Sequence, residues 1–375
     1  METRLRQLIE ANKENNREKW ALEWKKAGKK VIGFMSSYVP EEVIWAAGML
    51  PWRITGTWQS GHIPHARAYR TDSSCAYCNH VMESVLSGEL SFLDGIVTTD
   101  TDQDLLRTIE VLEYLQKAPF FHCLHIPFFE SERTLHFLSD EIRRMMAGLE
   151  SISGEKIQDE SLWDAIHSFN RMRHLLTDLY GLRKRDNPPL SGAEALGITT
   201  AAGIMPKDVF NDELEALLPY LEERKADLRS IHPRILIASE KLDHPGYLEI
   251  VEESCLVVMD DMDTGSRYFD RNVDTGLKDP AYALAKRNLG RHGSPRMADW
   301  DIQFDQVMKW IKEYRVNGVI SLPLSWCYPQ IMHLPFFSRR LKEAGIPHIS
   351  VNREYQLANE GQLRTRIGAF IEMLG

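Results

Sequence analysis

The chain has 375 residues, 43% hydrophobic and 26% charged, with a formal net charge of -9. Those are ordinary globular proportions and exclude fibrous and disordered classes. A net negative chain lacks the basic face that a phosphate-backbone binder needs, so nucleic acid is not an expected partner; a local basic patch for a phosphorylated cofactor remains compatible.

The length predicts two or three domains. Five cysteines are no disulfide framework in a chain this long, and the odd count points to a reducing compartment. Segment 1–30 is charged, unlike a signal peptide, and no apolar run reaches bilayer-spanning length. A cytoplasmic protein without membrane contact is expected.

Residues 3–26 predict one amphipathic helix with Leu5, Leu8, Ile9, Trp20, Leu22 and Trp24 on a broken stripe, used for packing or for contact between subunits. The run 31–35 predicts a buried strand, followed by a polar turn through Pro40 and a helix over 41–49. A second strand at 94–97 leads to a polar tip at 98–104 and a helix over 105–116. A third strand follows at 120–126. This alternation argues for a parallel sheet with helices on its faces.

From 131 to 229 helical spacing dominates, with helices expected at 143–149, 162–183 and 212–228 and a break around 186–192. At His232-Pro233 the first pattern restarts. Strands are expected at 234–239, 256–259, 317–320 and 345–351, with a helix after the first of them running through Glu253. The 317–320 strand mirrors 94–97, and the closing strand mirrors 118–121. The two ends of the chain therefore read as two copies of one α/β unit. The expected fold is α/β, with two Rossmann-like parallel-sheet domains flanking a helical region. The divisions fall at 1–130 (N-terminal helix plus first α/β domain), 131–230 and 231–375.

Chemistry concentrates around Cys75-Ala76-Tyr77-Cys78, set in a polar stretch. Thiolates at this spacing can turn toward one metal or one iron–sulfur cluster. The same spacing serves thiol–disulfide exchange, and inert loop cysteines fit it as well. Cys327 lies far downstream. Ligands of open parallel sheets sit beyond the carboxyl ends of the strands. Cys327 follows the 317–321 strand, and Ser36, Ser37 and 98–102 lie at the matching edge of the first unit. If the two edges face one cleft, Cys75, Cys78 and Cys327 meet there, and three thiolates would hold a cubane-type cluster with one iron open. Cys123 and Cys255 are expected to be inert buried thiols. His122 and His125 are expected to pack or hydrogen-bond rather than ligate. No compact His/Asp/Glu motif supports a zinc hydrolase.

The stretch Ser36-Ser37-Tyr38-Val39-Pro40-Glu41-Glu42-Val43-Ile44-Trp45-Ala46-Ala47-Gly48-Met49-Leu50-Pro51 resembles the N-terminal signature of the 2-hydroxyacyl-CoA dehydratase / benzoyl-CoA reductase subunits. Asp94-Gly95-Ile96-Val97, the stretch from Asp260 through Gly265-Ser266-Arg267-Tyr268-Phe269, and Gly345-Ile346-Pro347 fall in that family's order. The chain looks most like the smaller cluster-bearing subunit of an ATP-dependent benzoyl-CoA reductase.

The resemblance implies a [4Fe-4S] cluster held by three cysteines between two α/β domains, and a CoA-thioester substrate. It also implies a homologous second cluster-bearing subunit and a separate ATP-hydrolysing activator that donates electrons. Cys75 matches the first ligand and Cys327 the last. Thr101 stands where the middle thiolate is expected. Either Cys78 substitutes, which is the expectation adopted, or the cluster is bound differently or lost.

Ser36 and Ser37 sit where N–H groups converge on anions or a thioester oxygen. They are expected to donate to that oxygen, with helix capping as the alternative. Glu42 matches a family acid near the open iron, and it or a nearby Asp is expected to move protons, although a first-turn carboxylate is also favoured there by the helix dipole. The acids Asp260, Asp261 and Asp263 are either solvated or paired with Arg267, which otherwise meets a CoA phosphate. Trp52, Trp58 and Trp326 are expected to pack, with Trp326 placed to shield a cluster from water. The implied activity is one-electron reduction of a CoA thioester. Reduction of the benzoyl ring is preferred because 261–269 looks more like that branch. The alternatives are radical dehydration of a 2-hydroxyacyl-CoA and a non-catalytic scaffold or relay subunit without its own cluster.

Overall fold

Val31–Phe34 (β1) is apolar and buried along its whole length, as a strand covered on both faces must be. It pairs in parallel with Leu50–Arg53 (β2) on one side and Gly95–Thr99 (β3) on the other, and Phe121–Leu124 (β4) adds beyond β3. The second sheet repeats this plan. Arg234–Ala238 (β5) lies between Leu256–Asp261 (β6) and Gly318–Ser321 (β7), with His348–Ser350 (β8) outermost. The orders are β2-β1-β3-β4 and β6-β5-β7-β8, all parallel. The mirrored segments of the sequence are thus β3 with β7 and β4 with β8. The computed structural model describes residues 1–14, 16–57, 63–225 and 233–374; Trp58 and the tail of the helix expected at 212–228 lie outside them.

Strand β2 was not expected, because Pro51 reads as a breaker. It is tolerated because β2 is an edge strand, where a missing N–H need not break a ladder. Among the described residues four helices lie between the sheets in sequence: Glu132–Ser153, Asp159–Leu182, Gly192–Ala202 and Lys207–Glu223. Ser131 and Thr134 open the first with a reciprocal capping box, and Gly154 ends it at φ 79°. The expected single N-terminal helix is two, Glu2–Ile9 and Lys19–Lys26. The first packs on Gly192–Ala202 and the second against β1 and β2. That split explains why their apolar stripe is broken. Among the described residues no helix is long and apolar enough to cross a membrane.

One hydrophobic cluster draws on both sheets, through Leu50 and Ile96 of the first and Leu236 and Val319 of the second, and it includes Cys75, Cys78 and Cys327. The halves are also tied by polar contacts. The Gly56 amide donates to Tyr355 Oη at 2.7 Å, and that hydroxyl donates to Asp243 at 2.9 Å. A Cβ on Gly56 would stand 2.4 Å from His80 Cβ and 2.6 Å from the Tyr355 ring. Neither neighbour is a flexible chain end, so Gly56→Ala is expected to cost about 1–3 kcal/mol by overpacking. Chemical denaturation of the variant measures this.

Candidate metal centre

Strand order in each sheet reverses direction beside its first strand, which opens a crevice at the carboxyl ends of β1 and β3, and of β5 and β7. The cleft between the halves is built from these edges. Ser36 comes from the end of β1, Thr101 and Asp102 from beyond β3, Glu240 and Lys241 from beyond β5, and Cys327 from beyond β7. Asp263, past the end of β6, and Cys75 and Cys78 complete the chemistry. The cleft is narrow and partly open to solvent, with room for a few water molecules between its side chains.

The three thiols meet there because two loops are stitched together. Cys75 is the N-cap of the helix Ala76–Leu86, with Cys78 in its first turn, and Cys327 is the N-cap of Tyr328–Glu343. The Ala76 amide donates to the Ser325 carbonyl at 3.1 Å. Trp326 takes a left-handed φ of 61° between that carbonyl and Cys327. All three thiols are buried. Hydrogen bonds from Cys327 and Cys78 hold the Cys75 thiol well below its usual range, outweighing burial. The other two are raised, Cys78 first by burial and Cys327 first by its bond to Cys75. Two helix N-termini aimed at the same point add to the stabilisation of negative sulfur. Among the described residues no set of three or more His, Cys, Asp or Glu side chains is arranged around a single metal ion.

The remaining predicted residues divide. Ser36 lines the cleft, and its Oγ accepts from the Tyr38 amide at 3.2 Å. Ser37 donates to Asp263 and accepts from Arg291 at 3.0 Å, and it is not among the residues lining the cleft. Glu42 is buried inside Glu41–Ala46 and paired with Arg173 of the central helix, away from the cleft wall. Burial alone would raise its pKa, but Arg173 and Arg287 bring it below the usual value. Arg267 is buried, with its guanidinium committed to Asp261 at 2.6 Å, to Glu240 and to backbone carbonyls.

The three acids are not solvated. Asp260 accepts from Tyr180 Oη at 2.7 Å and Asp261 contacts His292 at 2.8 Å, while Asp263 binds Arg53 at 3.3 Å and Lys241. Cys123 is half-buried on β4, where burial pushes it up to about 12; Cys255 is buried and also raised by burial. His125 pairs with Asp100 at 3.0 Å, and His122 stacks on Phe120. Trp52 is buried against Phe92, whereas Trp326 is 44% exposed and lies at the surface.

Thr101 lines the cleft, its Oγ1 2.6 Å from that of Thr99. Lys241 was not read from the sequence as a site residue, and Asp102 only as part of the 98–102 strand edge. Both lie within four residues of a strand's carboxyl end, the one signal that marks them. Asp102 Oδ1 accepts from the Asp104 amide at 2.7 Å. Burial, then the charge at Cys75, pushes its carboxyl up from 3.8 to about 7. A proton on Asp102 therefore adds stability fully below the unfolded value, and that stability is lost as pH rises through about 7. Asp102→Asn keeps the amide acceptor. It is expected to flatten the fall in unfolding free energy between about pH 4 and about pH 7, measured by urea titration at each pH.

Residues 36–374 match the family model of the 2-hydroxyglutaryl-CoA dehydratase D-component. The chain belongs to this family. Among curated relatives, one of the benzoyl-CoA reductase subunits of Thauera aromatica is 27% identical over 368 residues, covering 94% of each chain. The beta subunit of the (R)-2-hydroxyglutaryl-CoA dehydratase of Acidaminococcus fermentans is 26% identical with 94% of each covered. The (R)-phenyllactyl-CoA dehydratase beta subunit of Clostridium sporogenes is 26% identical with 92% of each covered. The match opens at Ser36, the first cleft residue, and runs past Cys327, the last of the thiols.

Proposed function

We propose that this chain is the cluster-bearing subunit of a cytoplasmic enzyme that delivers single low-potential electrons to a CoA thioester. One observation carries the reading: three buried cysteines from two distant segments line one cleft between the two sheets. The donor set fits the implied group in its chemistry, since Cys75 is hydrogen-bonded to both Cys78 and Cys327 and a cluster of soft thiolates suits an iron–sulfur group. Cys75, Cys78 and Cys327 would hold a [4Fe-4S] cluster, with Cys78 standing in for the thiolate that Thr101 replaces. When bound, such a cluster supplies one-electron chemistry at low potential. The chain's own residues do the rest. Ser36 offers a hydroxyl to the thioester oxygen. Asp102 holds a proton inside the cleft near neutral pH. The shared apolar core limits water around the sulfurs, which tunes their potential.

The relatives are named as subunits of larger enzymes. This supports partner subunits; the homologous second cluster-bearing subunit and the separate ATP-hydrolysing activator rest on the resemblance of the sequence alone. Benzoyl-CoA ring reduction is the first assignment of substrate, in keeping with the relative of that name. The resemblance at 261–269 adds nothing to it, because Arg267 and its neighbours there are buried structural partners. The second reading, dehydration of a 2-hydroxyacyl-CoA, is favoured by the family description and two of the relatives. Assay of the reconstituted complex on benzoyl-CoA and on 2-hydroxyacyl-CoA thioesters decides between them. Turnover of the hydroxy substrates alone overturns the first assignment. Absence of iron and acid-labile sulfide from anaerobically purified protein overturns the cluster-bearing role itself.

A further inference from the structure

The cleft wall carries a cation that no sequence pattern and no relative's name explains. Lys241 follows β5 and is 9% exposed, and among the described residues it is the one lysine or arginine lining the cleft. Its Nζ lies 5.6 Å from the centroid of the Tyr77 ring and donates to Asp263. Asp263 also takes Arg53 of the first sheet at 3.3 Å and the Ser37 hydroxyl. One carboxylate thus holds two cations, and the buried Asp243 acts on both of them as well, so Lys241 is fixed in place with N–H capacity left toward the cleft. Glu240, the neighbouring acid, is occupied by Arg267. An ammonium has three N–H donors, and among the described residues only the bond to Asp263 is made. The arrangement is a cationic donor, fixed from behind by a buried carboxylate, facing a cavity on whose wall Ser36 offers a hydroxyl.

We propose that Lys241 is a catalytic residue whose ammonium donates a hydrogen bond to the carbonyl oxygen of the acyl thioester bound in the cleft. Asp263 is the positioning residue that holds it there. This rests on the CoA-thioester reading above. Fixed donors in a water-poor site are worth most where negative charge gathers on the substrate oxygen. Bonds to a charged donor are also stronger than neutral ones.

The test uses ligand pairs that differ only at that oxygen: benzoyl-CoA against benzyl-CoA, its thioether, and a 2-hydroxyacyl-CoA against its thioether. Affinities are measured by titration calorimetry on the anaerobically purified full chain with any co-purifying partner chain. Iron content is measured on each preparation. The wild type is expected to prefer a thioester over its thioether by about tenfold or more, the worth of one charge-assisted hydrogen bond. Lys241→Met is expected to lower the ratio severalfold, to what the Ser36 hydroxyl alone supplies, while Lys241→Gln and Lys241→Arg retain more of it through their own N–H donors, with iron unchanged in all three. A wild-type ratio kept in both neutral variants overturns the role of Lys241, as does a wild type that binds both ligands equally. Equal weakening of thioester and thioether also overturns it, since a merely structural lysine would act on both alike. If the wild type binds no member of either pair, the CoA-thioester reading falls and this role falls with it.

Discussion

Arg267→Met is expected to destabilise the protein by about 3–5 kcal/mol, the cost of leaving a buried ionic group without its partner. The guanidinium sits between Asp261 and Glu240, all three buried. Burial alone would raise Asp261, but Arg267 and then His292 hold it well below the usual carboxylate range. Glu240 goes the other way: burial raises it and Arg267 offsets only part of that rise. The favourable charge pairing is therefore carried by Arg267 with Asp261. Because the Asp261 value is depressed, its contribution is present above the ordinary carboxyl range and is lost as pH falls below it. The variant should show a lower urea midpoint at neutral pH and a weaker loss of stability toward acid than the wild type. An arginine serving a CoA phosphate at the surface would give the opposite signature, with unchanged stability and a raised KM. Unchanged stability would therefore restore the phosphate role.

The second large effect is on metal content. Cys75→Ser and Cys327→Ser are each expected to take iron from about four per chain to near none, with loss of the visible absorption of a cluster. Cys123→Ser and Cys255→Ser should retain it, since both thiols lie outside the cleft and are held protonated by burial. Cys78 is the informative position. Cys78→Ser should lose the iron, and adding Thr101→Cys to that variant should restore it, because Thr101 already lines the same cavity. Full iron in Cys78→Ser would remove Cys78 from the ligand set and return the chain to a different mode of binding.

The legible parts of the sequence were those where one physical signal dominated. β1 and β5 are short and wholly apolar but for Arg234 at the start of β5, and their polar ends marked the strand edges. The doubled topology showed through because the strands on either side of Gly95 and Gly318 share the same local pattern. Gly192–Ala202 was not found because it is buried nearly all round, so no polar face gives it a helical period. Its glycines also read as breakers, although Gly192 is where Glu252 caps the helix, its Oε1 2.6 Å from the amide.

At the site, the strand-end rule brought Cys327 toward Cys75 and Cys78, but not the charges between them. A lone lysine in Ser239-Glu240-Lys241-Leu242 looks like any surface lysine. Only Asp263, reached through the second sheet, shows that it is held. Glu42 shows the reverse. Its motif was specific, yet a partner 131 residues away in sequence fixes it inside the core.

Cys75 and Cys327 are 252 positions apart, since 327 minus 75 is 252. A ribosome adding about 5–20 residues per second takes roughly 13–50 s to cover that distance. During that interval the first two thiols emerge with no third sulfur to join them. The three sulfurs come together only once β7 has docked beside β5, so this wall of the cleft is assembled late, by contacts that the first sheet cannot make by itself.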